Sequence, residues 1–224
     1  MRTLYLECNM GAAGDMLTAA LLELHPHPEE FVQRMNGLHI PGVDFQAHPA
    51  AKCGINGTHV SVTVHGEEEE SHDIFYHGHD HGHDHDHGHD HGHDHGHDHH
   101  HEHGHHHHAG MGDIRHILSH LDIPEKVRED AQAVYELIAQ AESHAHGRPV
   151  EEIHFHEVGT LDAVTDVVAV CWLMNELAPQ QVVASPVHVG CGQVRCAHGV
   201  LPVPAPATAY ILQGVPTYGG AVQG

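Results

Sequence analysis

From Ser71 to His108 the chain is almost wholly histidine, aspartate and glycine, with Gly-His-Asp-His repeated between Gly78 and His99. Such a run has almost no apolar surface to bury, so nothing offsets the entropy of ordering it. It is expected to be a disordered insert, residues 71–108, in a loop of one α+β core, a small mixed sheet with packed helices, built from residues 1–70 and 109–224. With the tract set aside roughly 185 residues remain, enough for one substantial core or two small ones.

Tandem imidazoles with interleaved aspartates, among them His79, His81, His83 and His85, offer many equivalent sites for Ni, Zn, Cu or Co. A plain solubilising linker has no need of histidine. The tract can collect or deliver metal, but repetition suits it poorly to holding one ion in one geometry. Charge points away from other partners: 31 acids against 8 bases give a formal charge of -23 with the 34 histidines neutral, which argues against a nucleic-acid backbone. Five cysteines at irregular spacing, with no signal-like N-terminus, indicate a reduced, cytoplasmic thiol set. No apolar run approaches the roughly 20 residues of a membrane span.

A non-repetitive metal candidate follows at Ile153–Val167. In an extended segment His154 and His156 share one face and Phe155 turns into the core. Gly159 then allows a turn, and from Leu161 the pattern is helical, placing Asp162 and Asp166 one above the other near a helix N-terminus. With Glu157, this gives two imidazoles and up to three carboxylates, a borderline-to-hard set that suits Zn, Ni, Mn or Fe without choosing among them. The plainer alternative is a pair of strand histidines and an Asp162 that caps a helix beginning near Ala163.

The chain opens with a strand-like run, Thr3–Cys8, then Asn9–Asp15 and an apolar helix from Met16 to Leu24. Gly11, Gly14 and Asp15 lie where a strand, a glycine-bearing loop and a helix N-terminus could hold an anion, although they form no dinucleotide fingerprint or P-loop. Equally, the two glycines could serve a tight turn. Pro28–Asn36 reads as a helix closed by Gly37. Strands follow at Asp44–Ala47 and Thr58–Val64 around a Gly54–Gly57 turn, with Val60, Val62 and Val64 on one face and Lys52 and Cys53 at the surface.

Beyond the tract, Asp113–His120 and Pro124–His144 read as helices, the second with Val127, Ala131, Val134, Leu137, Ile138 and Ala141 on its buried stripe and His144 and His146 in the loop beyond. Cys171 and Trp172 read as core. A strand is expected over Val182–Val189, and Cys191 and Cys196 lack the spacing of a zinc knuckle. His198 and Gly199, ahead of a Pro-rich run ending in a short helix to Leu212, look like a substrate-shaping segment.

Three anchors in this order resemble the LarC nickel-insertion proteins: Tyr5–Cys8 with Gly11–Met16; His154–Gly159 with Asp162 and Asp166; and His198-Gly199 with Pro202–Thr208. The His-rich insert is also typical. The resemblance implies insertion of Ni(II) into pyridinium-3,5-bisthiocarboxylic acid mononucleotide, giving a nickel-carbon bond flanked by sulfur, with CTP and Mg or Mn as co-reactants. On that reading His154, His156, Glu157, Asp162 and Asp166 hold the metal, Glu157 or Asp162 takes the ring proton, and Gly11, Gly14, Asp15, His198 and Gly199 grip the mononucleotide. Single-chain members continue beyond the equivalent of Gly224 into a C-terminal domain that carries the CTP site. A separately encoded C-terminal half is therefore an expected partner, and a homo-oligomer is left open. The rival functions are a nickel or zinc storage chaperone based on the tract and a metal-dependent hydrolase.

Overall fold

The computed structural model describes residues 1–68, 109–155, 157–196 and 199–220. The His-rich tract with His79, His81, His83 and His85, and the site candidates His156 and His198, lie outside them.

The strand β1 (Thr3–Leu6) leads into helices α1 (Gly14–Glu23) and α2 (Pro28–Gly37), followed by the strands β2 (Val43–Lys52), β3 (Ile55–Val64) and β4 (Glu67–Glu68). After the tract come β5 (Ala109–Gly110), α3 (Met111–His120), α4 (Glu125–His146), β6 (His154–Phe155) and α5 (Leu161–Leu177). The last part holds β7 (Gln181–Ala184), β8 (Val187–His188), β9 (Gln193–Cys196), β10 (Gly199–Pro202), α6 (Pro206–Ile211) and β11 (Thr217–Tyr218). The expected α+β class with small sheets is what forms. Parallel and antiparallel pairs are kept in separate sheets: β2-β3-β4, β9-β10 and β5-β6 are antiparallel, β1-β7 and β8-β11 parallel. Parallel pairing of β1 with β7 requires a long crossover, and the intervening core supplies it.

One apolar cluster draws on both sides of the tract, joining Leu21, Leu22, Phe31, Phe45 and Val60 to Ile114, Leu118, Tyr135, Val164 and Leu173. α5 is its centre, packing on α1, α4 and β3. Its apolar residues run almost all round, as a helix covered on several sides requires. Val60 and Val62 are buried while Ser61 and Thr63 are half-exposed, so β3 alternates as its sequence predicts.

Several local expectations are corrected. The β2-β3 turn is Cys53-Gly54, both at positive φ (53° and 78°), with Lys52 paired to Ile55; Asn56 and Gly57 belong to the strand. A two-residue hairpin turn with positive φ matches the twist of its strands, and this outweighs the Asn-Gly signal one step later. On α4 the buried set includes Tyr135 and Ala139, whereas Leu137 is 57% exposed. His144 and His146 are in the last turn of that helix, near its negative end, and not in the loop. The run Val182–Val189 is split into β7 and β8 at Ser185-Pro186, since proline lacks the ladder N–H. Among the described residues no helix is long and apolar enough to cross a membrane.

Candidate metal centre

The segment linking α4 to α5 crosses the core edge as β6, which pairs with β5 in the register Ala109 to Phe155 and Gly110 to His154. Pleating then separates the two side chains: Phe155 is buried, 5.7 Å from the ring of Tyr135, and His154 is exposed. A 3-10 turn over Glu157–Gly159 joins β6 to α5. Gly159 is fixed by space, since a Cβ there would stand 2.7 Å from that of Phe155 and 3.2 Å from that of Ala109. The Tyr135 hydroxyl donates to the carbonyl of Val158 at 3.0 Å, tying the turn to α4.

α5 begins at Leu161 with Thr160 at its N-cap position, so Asp162 sits within the first turn and is not the cap. Asp166 follows one turn later and points at the start of α1. The absence of a side chain at Gly14 makes room for it: a Cβ at 14 would lie 2.8 Å from Asp166 Oδ2 and 2.9 Å from Asp166 Cβ. Asp15 adds a carboxylate from the first turn of α1. Three acids from two helices therefore share one region, and the Oδ1 of Asp166 is buried without a hydrogen-bond partner among the described residues. Burial first, then the charges of Asp15 and Asp162, push the Asp166 carboxyl up to about 7. Burial and the charges of Asp162 and Asp166 likewise raise the Tyr135 phenol.

Asp162 and Asp166 lie one turn apart on α5, as the helical repeat predicts, and the approach of Gly14 and Asp15 to Asp166, beside their expected place in an anion site, was not foreseen. A region this acidic attracts a cation, and Gly14 is occupied in accommodating Asp166. The only signal for Asp15 was its position at a helix start, which does not reveal a helix packed opposite. Tyr135 was missed because its phenol faces the turn from within a stripe of alanines and valines. Among the described residues no three His, Cys, Asp or Glu side chains are close enough to hold a metal ion. His156 lies outside the described residues.

A cavity of about 510 Å³ adjoins the turn, lined by Ala109, Asp113, His116, Ile117, Gly159, Thr160 and Leu161. Asp113 is already engaged, accepting from the Gly110 amide at 2.8 Å.

The N-terminal loop is held by the last strands. The Cys8 amide donates to Ser185 Oγ at 2.8 Å, Tyr218 donates to Asn9 Oδ1 at 3.3 Å, and Asn9 donates to Glu7 Oε1 at 2.7 Å. Gly11 has φ 94° and donates to the Cys8 carbonyl at 3.2 Å. Gly199, at φ 99°, opens β10 opposite Cys196.

The model of a family described as "Nickel insertion protein" matches residues 4–224. A Clostridium acetobutylicum protein named "Pyridinium-3,5-bisthiocarboxylic acid mononucleotide nickel insertion protein" is 41% identical over 226 aligned residues, covering 100% of this chain and 52% of the relative. A Geobacillus kaustophilus protein of the same name is 35% identical, covering 96% of this chain and 46% of the relative. A Myxococcus xanthus "Putative nickel insertion protein" is 32% identical with the same coverage, 96% and 46%. No solved structure matches. The chain spans about half the length of the curated relatives it matches. A family match running through almost the whole chain shows that it belongs to the nickel insertion protein family.

Proposed function

We propose that this chain provides the metal-handling part of an enzyme that inserts Ni(II) into pyridinium-3,5-bisthiocarboxylic acid mononucleotide. The observation that carries this is its match, along almost its full length, to relatives named for that reaction. The acidic region supports it, since three carboxylates, with one buried oxygen unpartnered among the described residues, gain from a cation.

In this reading the tract at 71–108 gathers nickel, and His154, His156, Glu157, Asp162 and Asp166 hold it with positions left open. Imidazole and carboxylate are harder donors than thiocarboxylate, so the substrate's two sulfurs displace them as the ion moves. Nickel then replaces hydrogen on the ring carbon between the thiocarboxylates, and one proton leaves. Glu157 or Asp162, freed from the ion, accepts it. His198 and Gly199, the latter the first residue of β10, help to hold the mononucleotide, and Gly11, with its open backbone, remains a phosphate candidate. Asp15 joins the cation side. CTP with Mg or Mn acts through the part that corresponds to the rest of the relatives' length, and the location is cytoplasmic.

The test is nickel insertion by the purified chain, given Ni(II), CTP, Mg or Mn and the thiolated mononucleotide, with and without the polypeptide equivalent to the relatives' second half. Product only when that second polypeptide is present, lost on His154→Ala with His156→Ala while bulk nickel loading persists, is the expected result. Nickel loading without product in both arrangements would favour a storage chaperone, the reading the tract itself favours. Product from the chain alone would place the nucleotide site within it.

A further inference from the structure

The end of α4, the β9-β10 hairpin and α6 enclose a second cavity, of about 240 Å³, that the metal centre does not use. Its walls are mostly apolar, with Val194, Leu201 and Ala207 among them, and Cys196 adds a soft, polarisable surface. Along β9 the pleat turns Val194 and Cys196 inward and leaves Arg195 exposed. The polar groups are confined to α4: Glu142 and His146 line the same cavity, with His146 Nε2 3.4 Å from Glu142 Oε2. Helix α4 is held against α6 by the ring of His144 stacked on that of Tyr210, centroids 4.4 Å apart and 28° from parallel.

This combination selects a ligand. At about 240 Å³ the space suits one planar ring with small substituents and is below the size that encloses a whole nucleotide. Apolar walls favour an aromatic face, and one oriented carboxylate favours a ring that carries positive charge over a neutral ring of equal shape. A short connection, Gly147 and the 3-10 turn Val150–Glu152, leads from His146 to His154, so the cavity and the metal-binding segment belong to one continuous stretch.

We infer that this cavity is the subsite for a pyridinium ring, with Glu142 facing the cationic ring and Cys196 and Leu201 lining it, the ribose and phosphate remaining outside. The inference rests on the proposed substrate class, and it adds where the ring sits and which residue recognises its charge.

The experiment maps cysteine alkylation by mass spectrometry on the full, nickel-free chain. The probes are nicotinamide mononucleotide and its reduced dihydro form, which share ribose and phosphate and differ in ring charge. Cys53, exposed on the β2-β3 turn, is the internal reference. The oxidised probe is expected to slow alkylation of Cys196 at least threefold with Cys53 unchanged, and the reduced probe to need roughly tenfold higher concentration. Glu142→Gln should remove that difference between the probes, and Ala207→Leu should abolish protection by filling the space. Because both variants retain the chain's core residues, Cys53 and Cys196 rates without probe report that the fold is intact. Equal protection by both probes in the parent chain, or none at Cys196, would overturn the subsite. Nickel insertion that proceeds while Cys196 stays unprotected would leave the function standing and sink this inference alone; protection with no insertion would do the reverse.

Discussion

Asp166→Asn should make the metal-free protein more stable while removing a proposed nickel ligand. The carboxyl is raised from 3.8 to about 7 by burial and by Asp15 and Asp162, so the folded state resists its ionisation. A displacement of that size corresponds to about 4 kcal/mol of folding free energy. Water on the open side of this half-buried group screens part of it, leaving about 2 kcal/mol. The sign follows from the raised pKa: the cost is fully present above about 7 and is relieved as pH falls towards 3.8, where the folded carboxyl is already neutral. Asparagine keeps the shape and removes the charge. Urea unfolding of the chelator-treated chain at pH 8 should therefore show Asp166→Asn more stable by about 2 kcal/mol, equivalent to about 4–8 °C in Tm for a chain of this size. At pH 5 less than half of the gain should remain. Equal stability at pH 8, or a gain independent of pH between 5 and 8, would refute the account of Asp166 as a carboxylate held against its own ionisation.

Gly14→Ala places a Cβ 2.8 Å from Asp166 Oδ2 and 2.9 Å from Asp166 Cβ and should cost about 1–3 kcal/mol in urea unfolding, with only part of the loss recovered when Asp166→Ala is added, since that Cβ remains. Gly159→Ala, 2.7 Å from Phe155 Cβ, should cost a similar about 1–3 kcal/mol and displace β6, read as weaker nickel binding by a tract-deleted chain. Tyr135→Phe removes the hydroxyl bonded to Val158 and should cost about 1 kcal/mol in thermal unfolding. Glu176 is held down to about 2, chiefly by its hydrogen bonds with Arg34 and with a further contribution from His25. Its contribution is present above about 4.5 and lost as pH falls towards 2, so Glu176→Gln should destabilise at pH 7 by about 1 kcal/mol and hardly at all at pH 2, by unfolding measured at both.

Residues whose environment is set by near neighbours in sequence were the ones that could be read from it. Phe155 inward and His154 outward follow from strand pleating, and Asp162 above Asp166 follows from the helical repeat. The hairpin face of Val60 and Val62 is equally local. Its turn was misplaced because Cys53 adopts positive φ, a conformation that a cysteine does not advertise and that the paired strands impose. Asp15 and Gly14 could not be assigned to Asp166 at all. Their meeting depends on α1 packing against α5 across most of the chain's length, which no periodicity encodes.

That packing also explains why the acidic region can exist without unfolding the protein. α1 and α5 pack together and contribute Leu21, Leu22, Val164 and Val168, all nearly or fully buried, to the one apolar cluster, and burial of this kind contributes about 1.5–3 kcal/mol per side chain. The cost of ionising Asp166, set first by burial and then by the charges of Asp15 and Asp162, is about 2 kcal/mol after screening, smaller than the contribution of two such residues. The helices can therefore hold three carboxylates in place against their mutual repulsion, with Gly14 the point at which the fit is tightest. A cation bound near Asp166 would offset part of the cost that burial and the charges of Asp15 and Asp162 place on that carboxylate.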